Sequence, residues 1–304
     1  MRELLREAAY LEISELLERY AHNIINSTSR VILSSAPTLS GALSIAPLEA
    51  ALIDSSIQYC RRFTSSPPTS EAFVWFSENS ISDSEIPTRG NNGIILSPVV
   101  VEGLMGHRGD SRKGPLSPVA QSHALAQQIS PSSKRLRKMR PWALSGNWND
   151  SALDTAYDPV FSAIRDFLES EGSISVVPLT ELDRIESKNY RWMDIDEYRR
   201  IRERWPEMAL GEREEAMSGL ALPSLLQNTP STPRLECLLW QCIMGIGWKS
   251  DLASQLSWAI DYWKSYEPRE AASRVADSLI TSCLLYTSDA ADDTPCVDLG
   301  GRRI

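Results

Sequence analysis

An apolar run at Arg30–Leu33 passes through a small polar turn, Ser34–Gly41, into a helical pattern over Leu43–Ile53. A second extended run opens at Gln58–Phe63. Strand, turn, helix and strand in this order make a βαβ unit. Such a unit forces two parallel strands joined by a right-handed crossover. Ligands of such sheets bind beyond the carboxyl ends of the strands. Here that end carries Ser34, Ser35, Thr38 and Ser40, and no Asp, Glu, His or Lys. The place where reactive groups should gather is chemically bare, which weighs against an enzyme.

The rest of the chain sets outer bounds. Its 304 residues suit one large or two modest domains. A hydrophobic content of 42% and a charged content of 23% are those of a globular protein with a buried core. A net charge of −9 argues against non-specific coating of nucleic acid, though a local basic patch can still act. No apolar run is long enough to span a bilayer, and the charged start MRELLREAAYLEISELLERY is unlike a signal peptide. The expectation is a cytoplasmic protein without membrane contact. The sparse cysteines show no paired metal spacing, which fits reduced thiols.

Residues 2–25 repeat Leu4, Leu5, Ala8, Leu11, Leu17 and Ile24 at helical spacing and predict one amphipathic helix. Short strands are predicted at Ala72–Phe76 and Gly93–Val101, the latter ended by Pro98 at Ser97. Met105–Pro118 reads as a loop. Helices are predicted over Val119–Ile129, Lys134–Gly146 and Pro159–Glu171, followed by a strand at Ser173–Pro178. Beyond Leu179 the pattern is helical: Asp194–Trp205, Gly211–Leu220, Arg234–Ile246, Leu252–Tyr266 and Glu270–Thr281, with a break at Leu222–Pro233. Cys283–Ile304 resembles the conceptual translation of a sequencing-library adapter, so the natural chain is expected to run on past Ser282. The expected organisation is an N-terminal helix (1–28), an α/β domain with a parallel sheet (29–178), a helical region (179–282) and an artefactual tail (283–304).

The order of elements over Leu11–Asp158 resembles the DHH phosphoesterases, the family of the RecJ exonucleases and of the non-catalytic cofactor of the replicative helicase. In that family the first strand ends in an H-x-D-x-D-G pattern. The matching run here is Ala36-Pro37-Thr38-Leu39-Ser40-Gly41, which keeps the glycine and none of the ligands. The Asp expected after the second strand is replaced by Ser77, followed by Glu78. The Asp-His-His signature is replaced by Ser97, Pro98 and Val99. A Ser-x-x helix start is matched at Ser117. The G-x-x-D turn is matched at Gly146, with Asn149 in place of Asp and Asp150 one residue on. The family holds two divalent cations about 4 Å apart to clamp the attacking and leaving oxygens. Such hard cations need several anionic oxygens. The resemblance therefore implies a Rossmann-like, degenerate member without catalysis or cofactor. It would be a structural component of a DNA replication complex, with GINS and the MCM helicase ring as partners. Two alternatives stand beside this reading. One is an active phosphoesterase using manganese or magnesium through Glu78, Asp150 and His107. The other is a helical scaffold, or another Rossmann-like domain, with no link to nucleic acid.

Lys134, Arg135, Arg137, Lys138 and Arg140 place five positive charges in seven residues. They read either as a phosphate-tracking patch for single-stranded nucleic acid or as a solvated helix face. Trp142 and Trp148 nearby are candidates for base stacking or for the core. Arg191, Arg199, Arg200, Arg202 and Arg204 are interleaved with acids, as on an ion-paired exposed helix or a docking surface.

Overall fold

The computed structural model describes residues 1–68, 72–80, 93–105, 110–227 and 230–284. The chain is a mixed α/β protein with a four-stranded, all-parallel sheet and a largely helical remainder. The strands are β1 (Val31–Ser35), β2 (Tyr59–Phe63), β3 (Phe73–Phe76) and β4 (Gly93–Leu96), in the order β2-β1-β3-β4. Register brings Ser35 opposite Phe63 and Phe76, and Phe76 opposite Leu96, so the carboxyl ends lie level.

Two short segments open the chain, a 3-10 turn at Leu4–Arg6 and α1 (Ala8–Leu11), followed by α2 (Ser14–Ile25). The single helix expected over residues 2–25 is thus broken at Glu12 and Ile13. Most of its apolar residues still face inward, with Leu4, Tyr10 and Leu17 fully buried, whereas Leu11 is exposed.

The crossover helix α3 (Leu39–Asp54) is apolar on every side and therefore central. It packs against α4 (Pro118–Ile129) and, from far along the chain, α12 (Pro268–Ser282). Pro47 removes an N–H from its ladder. In the same turn the Ser44 carbonyl accepts from Ser122 Oγ of α4 at 2.6 Å. Glu49, buried in α3, meets Arg61 of β2 at 3.0 Å, and Arg61 reaches Asp277 of α12 at 2.6 Å. Burial pushes the Glu49 carboxyl up, and Arg61 pulls against it.

The main core lies on the face of Val31, Leu33, Val74 and Ile94. The opposite face carries a smaller cluster of Ile32, Phe73 and Trp75, with Ile95 packed against it.

Val99 does not continue the fourth strand. It opens β5 (Val99–Met105), which pairs antiparallel with β6 (Ser111–Leu116) where a loop was expected. The sequence SRKGPL lacks an apolar alternation. Its Pro115 is tolerated because a two-stranded ribbon has open edges. The hairpin packs on α7 (Pro159–Ser170), reached through α5 (Lys134–Met139), a 3-10 turn at Arg140–Leu144 and α6 (Ser145–Asn149).

β7 (Ile174–Val177) pairs antiparallel with β8 (Cys242–Gly245), not with the parallel sheet. The helix predicted over Arg234–Ile246 therefore stops as α10 (Thr232–Leu239). A short apolar run has no periodicity to separate strand from helix. The remaining helices are α8 (Ile195–Arg204), α9 (Leu210–Gln227), which runs through the expected break at Leu222, and α11 (Leu252–Ser265). Among the described residues no helix is long and apolar enough to cross a membrane. Cys283 is buried, and its carbonyl accepts from Trp142 Nε1 at 3.0 Å.

Candidate functional site

The level strand ends carry Ala36, Thr38, Ser40, Ser77 and Ser97, while Val99 and Asn149 lie on other elements. β1 is wholly buried and delivers Ser34 and Ser35 to the rim. Ser34 Oγ lies 3.0 Å from Thr64 Oγ1, and Ser35 Oγ donates to the Ala36 carbonyl at 3.0 Å. That same carbonyl accepts from the Thr38 N–H at 2.9 Å. Trp263 Nε1 of α11 donates to the Pro37 carbonyl at 3.0 Å. Thr38 then caps α3, its Oγ1 accepting from the Gly41 N–H at 3.0 Å. A Cβ on Gly41 would stand 2.3 Å from the Ala36 carbonyl oxygen and 2.5 Å from Ser35 Oγ. The helix starts so close to the strand that only glycine fits.

Beyond β3, the hydroxyl of Thr38 donates to Glu78 Oε1. Ser77 Oγ donates to the Asn79 carbonyl at 2.9 Å. Beyond β4, the Ser97 carbonyl accepts from Gln121 Nε2 at 2.6 Å. Ser80 Oγ donates to the Pro98 carbonyl at 3.4 Å, and Val99 has left for the hairpin. Ser40 sits in the first turn of α3.

These residues do not fit a pair of divalent cations. Neutral hydroxyls supply no charge to offset dehydration of a hard cation. Several are already turned onto neighbouring carbonyls, and the Glu78 carboxylate is held by Thr38. Among the described residues no group of three or more His, Cys, Asp or Glu is placed to hold a metal ion.

The other matched turn is tied elsewhere. A Cβ on Gly146 would stand 2.3 Å from Ser117 Oγ, the cap of α4, so α6 and α4 meet at that glycine. Asn149 ends α6, and the Asp150 carbonyl that follows accepts from Arg234, which also pairs with Asp154 at 2.9 Å. Thr38 holds Glu78 and Arg234 holds Asp150, so the two acids are engaged by different residues. His107 lies outside the described residues. The polar residue that organises this region is Asn147, which the sequence reading passed over for Asn149 and Asp150. It is buried, donates to the Pro115 carbonyl at 2.6 Å and to Asp158 Oδ2 at 2.9 Å, and accepts from the Ser117 N–H at 3.3 Å. Its place one turn beyond the buried Ala143 and Leu144 was the available signal.

The basic run does not form one stripe. Lys134, Arg137 and Lys138 are exposed, and Arg135 pairs with Asp54 at 2.8 Å. Arg140 corrects the expectation of a phosphate contact, because it is 2% exposed. Its guanidinium donates to Glu171 at 3.1 Å, to Gln127 at 2.9 Å and to the Arg2 carbonyl at 2.7 Å. Trp142 and Trp148 are buried too, so neither offers a face to a base. Lys134, Arg135 and Lys138 line a cleft of about 510 Å³ between α5 and the end of α12. On α8, Arg199 pairs with Asp196 and Arg200 with Glu197, as expected of an ion-paired exposed helix.

No protein-family model matches the chain, and no curated protein matches it at a significant level.

Proposed function

We propose that this chain is a degenerate, non-catalytic relative of the RecJ-like DHH phosphoesterases, serving as a structural component of a DNA replication complex. One observation carries the reading. At the level ends of β1, β3 and β4, where a two-metal hydrolase concentrates carboxylates and histidines, Ala36, Thr38, Ser77 and Ser97 are held in contacts that serve the fold. Gly41, the family residue whose role is geometric, stays where only glycine fits. Loss of the ligands with retention of the turn is what a scaffold descended from an enzyme would keep. GINS-type and helicase-ring proteins are the partners this reading implies.

Two measurements test it. The purified chain, incubated with manganese and a labelled single strand, should release no nucleotide above a metal-free control, and calorimetry should detect no stoichiometric manganese binding. The tagged chain should co-purify with GINS-type and helicase-ring proteins. Metal-dependent release would restore the phosphoesterase reading through Glu78 and Asp150. Absence of replication proteins from the co-purified set would leave a scaffold unrelated to nucleic acid.

A further inference from the structure

The cleft between α5 and the end of α12 is lined by Lys134, Arg135 and Lys138 on one side and by Thr281 and Ser282 on the other. Among the described residues of that lining, Asp54 is the one carboxylate. It is occupied twice, by Arg135 at 2.8 Å and by the hydroxyl of Ser133. Lys134 and Lys138 make no ion pair among the described residues, and both are exposed. A chain of net charge −9 therefore presents a recess whose unspent charge is positive.

We infer that this cleft binds the sugar–phosphate backbone of a single-stranded nucleic acid. The two free lysines stand at i and i+4, about 5–6 Å apart at Cβ. That separation lets them serve two phosphates of one strand. On the facing wall the Ser282 hydroxyl already donates to the Ser278 carbonyl at 2.8 Å, which leaves the Thr281 hydroxyl to donate to a phosphate oxygen. Among the described residues no aromatic side chain lines the cleft, so these walls offer bases nothing to stack on. The contact is with the backbone, and it carries no sequence preference. The largely polar lining also disfavours an apolar small molecule. This site is separate from the strand ends and stands whether or not the replication reading does.

The test is fluorescence anisotropy of a labelled oligothymidylate with the full chain, over a range of salt concentrations. Binding should weaken with salt. Lys134→Gln combined with Lys138→Gln should weaken it about tenfold and flatten the slope of log K against log salt by about 1.4, at about 0.7 per phosphate contact on a single strand. Asp54→Asn should tighten it by removing the negative charge that the described lining carries. Arg137→Gln, which removes an exposed cation of α5 outside the cleft, should leave it within about twofold. An equal loss in Arg137→Gln would reduce the effect to the general charge of the helix and overturn the assignment. So would absence of binding at low salt. Displacement of the oligonucleotide by polyglutamate at matched charge concentration would assign the cleft to an acidic chain instead. A clear preference between oligothymidylate and oligoadenylate would contradict backbone recognition.

Discussion

One buried side chain makes a distinct contribution to the response of this protein to acid. His123 lies in α4, 3% exposed, and its Nε2 has no hydrogen-bond partner among the described residues. Burial first, and the Arg140 charge second, push its pKa from 6.5 down to about 3. The folded chain therefore keeps the ring neutral where the unfolded chain protonates it. The stability this difference supplies is complete above pH 6.5 and is lost as pH falls from 6.5 toward 3. The loss runs at about 1.4 kcal/mol per pH unit. Glu49 and Asp251 act in the opposite direction, because burial raises their carboxyl pKa values. They are common to any pair of variants, so a comparison cancels them. Between pH 7 and pH 5, urea unfolding should show the parent chain losing about 2 kcal/mol more than His123→Gln. An equal loss in both proteins would show that His123 titrates normally.

At the level of elements, the start of α3 is a tight junction made against backbone. Gly41→Ala would drive a methyl group onto the Ala36 carbonyl, a backbone atom that cannot swing aside. Such overpacking costs about 1–3 kcal/mol. Gly219 in α9 provides the contrast, because a Cβ there meets nothing within 4 Å. Gly219→Ala should stabilise the chain by about 0.5–1 kcal/mol. Thermal or urea melts of the two variants should move in opposite directions, and a neutral Gly41→Ala would mean that strand and helix can part. The same junction shows what the sequence made legible. β1, α3 and β2 were readable because an apolar strand, a turn of small residues and a mostly apolar helix agree with one another. So was the emptiness of the strand ends, since Ala36, Thr38 and Ser40 declare their chemistry by identity. The β5–β6 hairpin was not readable, because SRKGPL becomes a strand only through its partner Val99–Leu104. Nor was β8, whose apolar residues Cys242 and Ile243 suit a helix equally well. Arg140 looked like one more cation of a basic run. Its burial depends on Glu171, a residue 31 positions away, and no local pattern reports that.

Across the whole molecule, Arg140 joins parts that are distant in sequence. It links the backbone of Arg2, Gln127 of α4 and Glu171 beyond α7, while Gln127 also accepts from the Leu4 N–H at 3.0 Å. Arg140→Ala would leave Glu171 buried without its partner, at a cost of about 3–5 kcal/mol. Lys138→Gln, two residues away and exposed, should cost less than about 0.5 kcal/mol. Denaturant midpoints of the two variants measure the difference, and similar midpoints would mean that the N-terminal segment is held by apolar contacts alone. The second long-range closure is that of α12 upon α3, reinforced by Arg61 and Asp277 and by Trp142 on the Cys283 carbonyl. It has a consequence for biogenesis. The first βαβ unit leaves the ribosome early, yet the helix that shields its crossover is translated about 200 residues later. At about 5–20 residues per second, that interval is roughly 10–40 seconds. Throughout it the nascent polypeptide carries an uncovered greasy flank, a substrate for holding chaperones until α12 emerges.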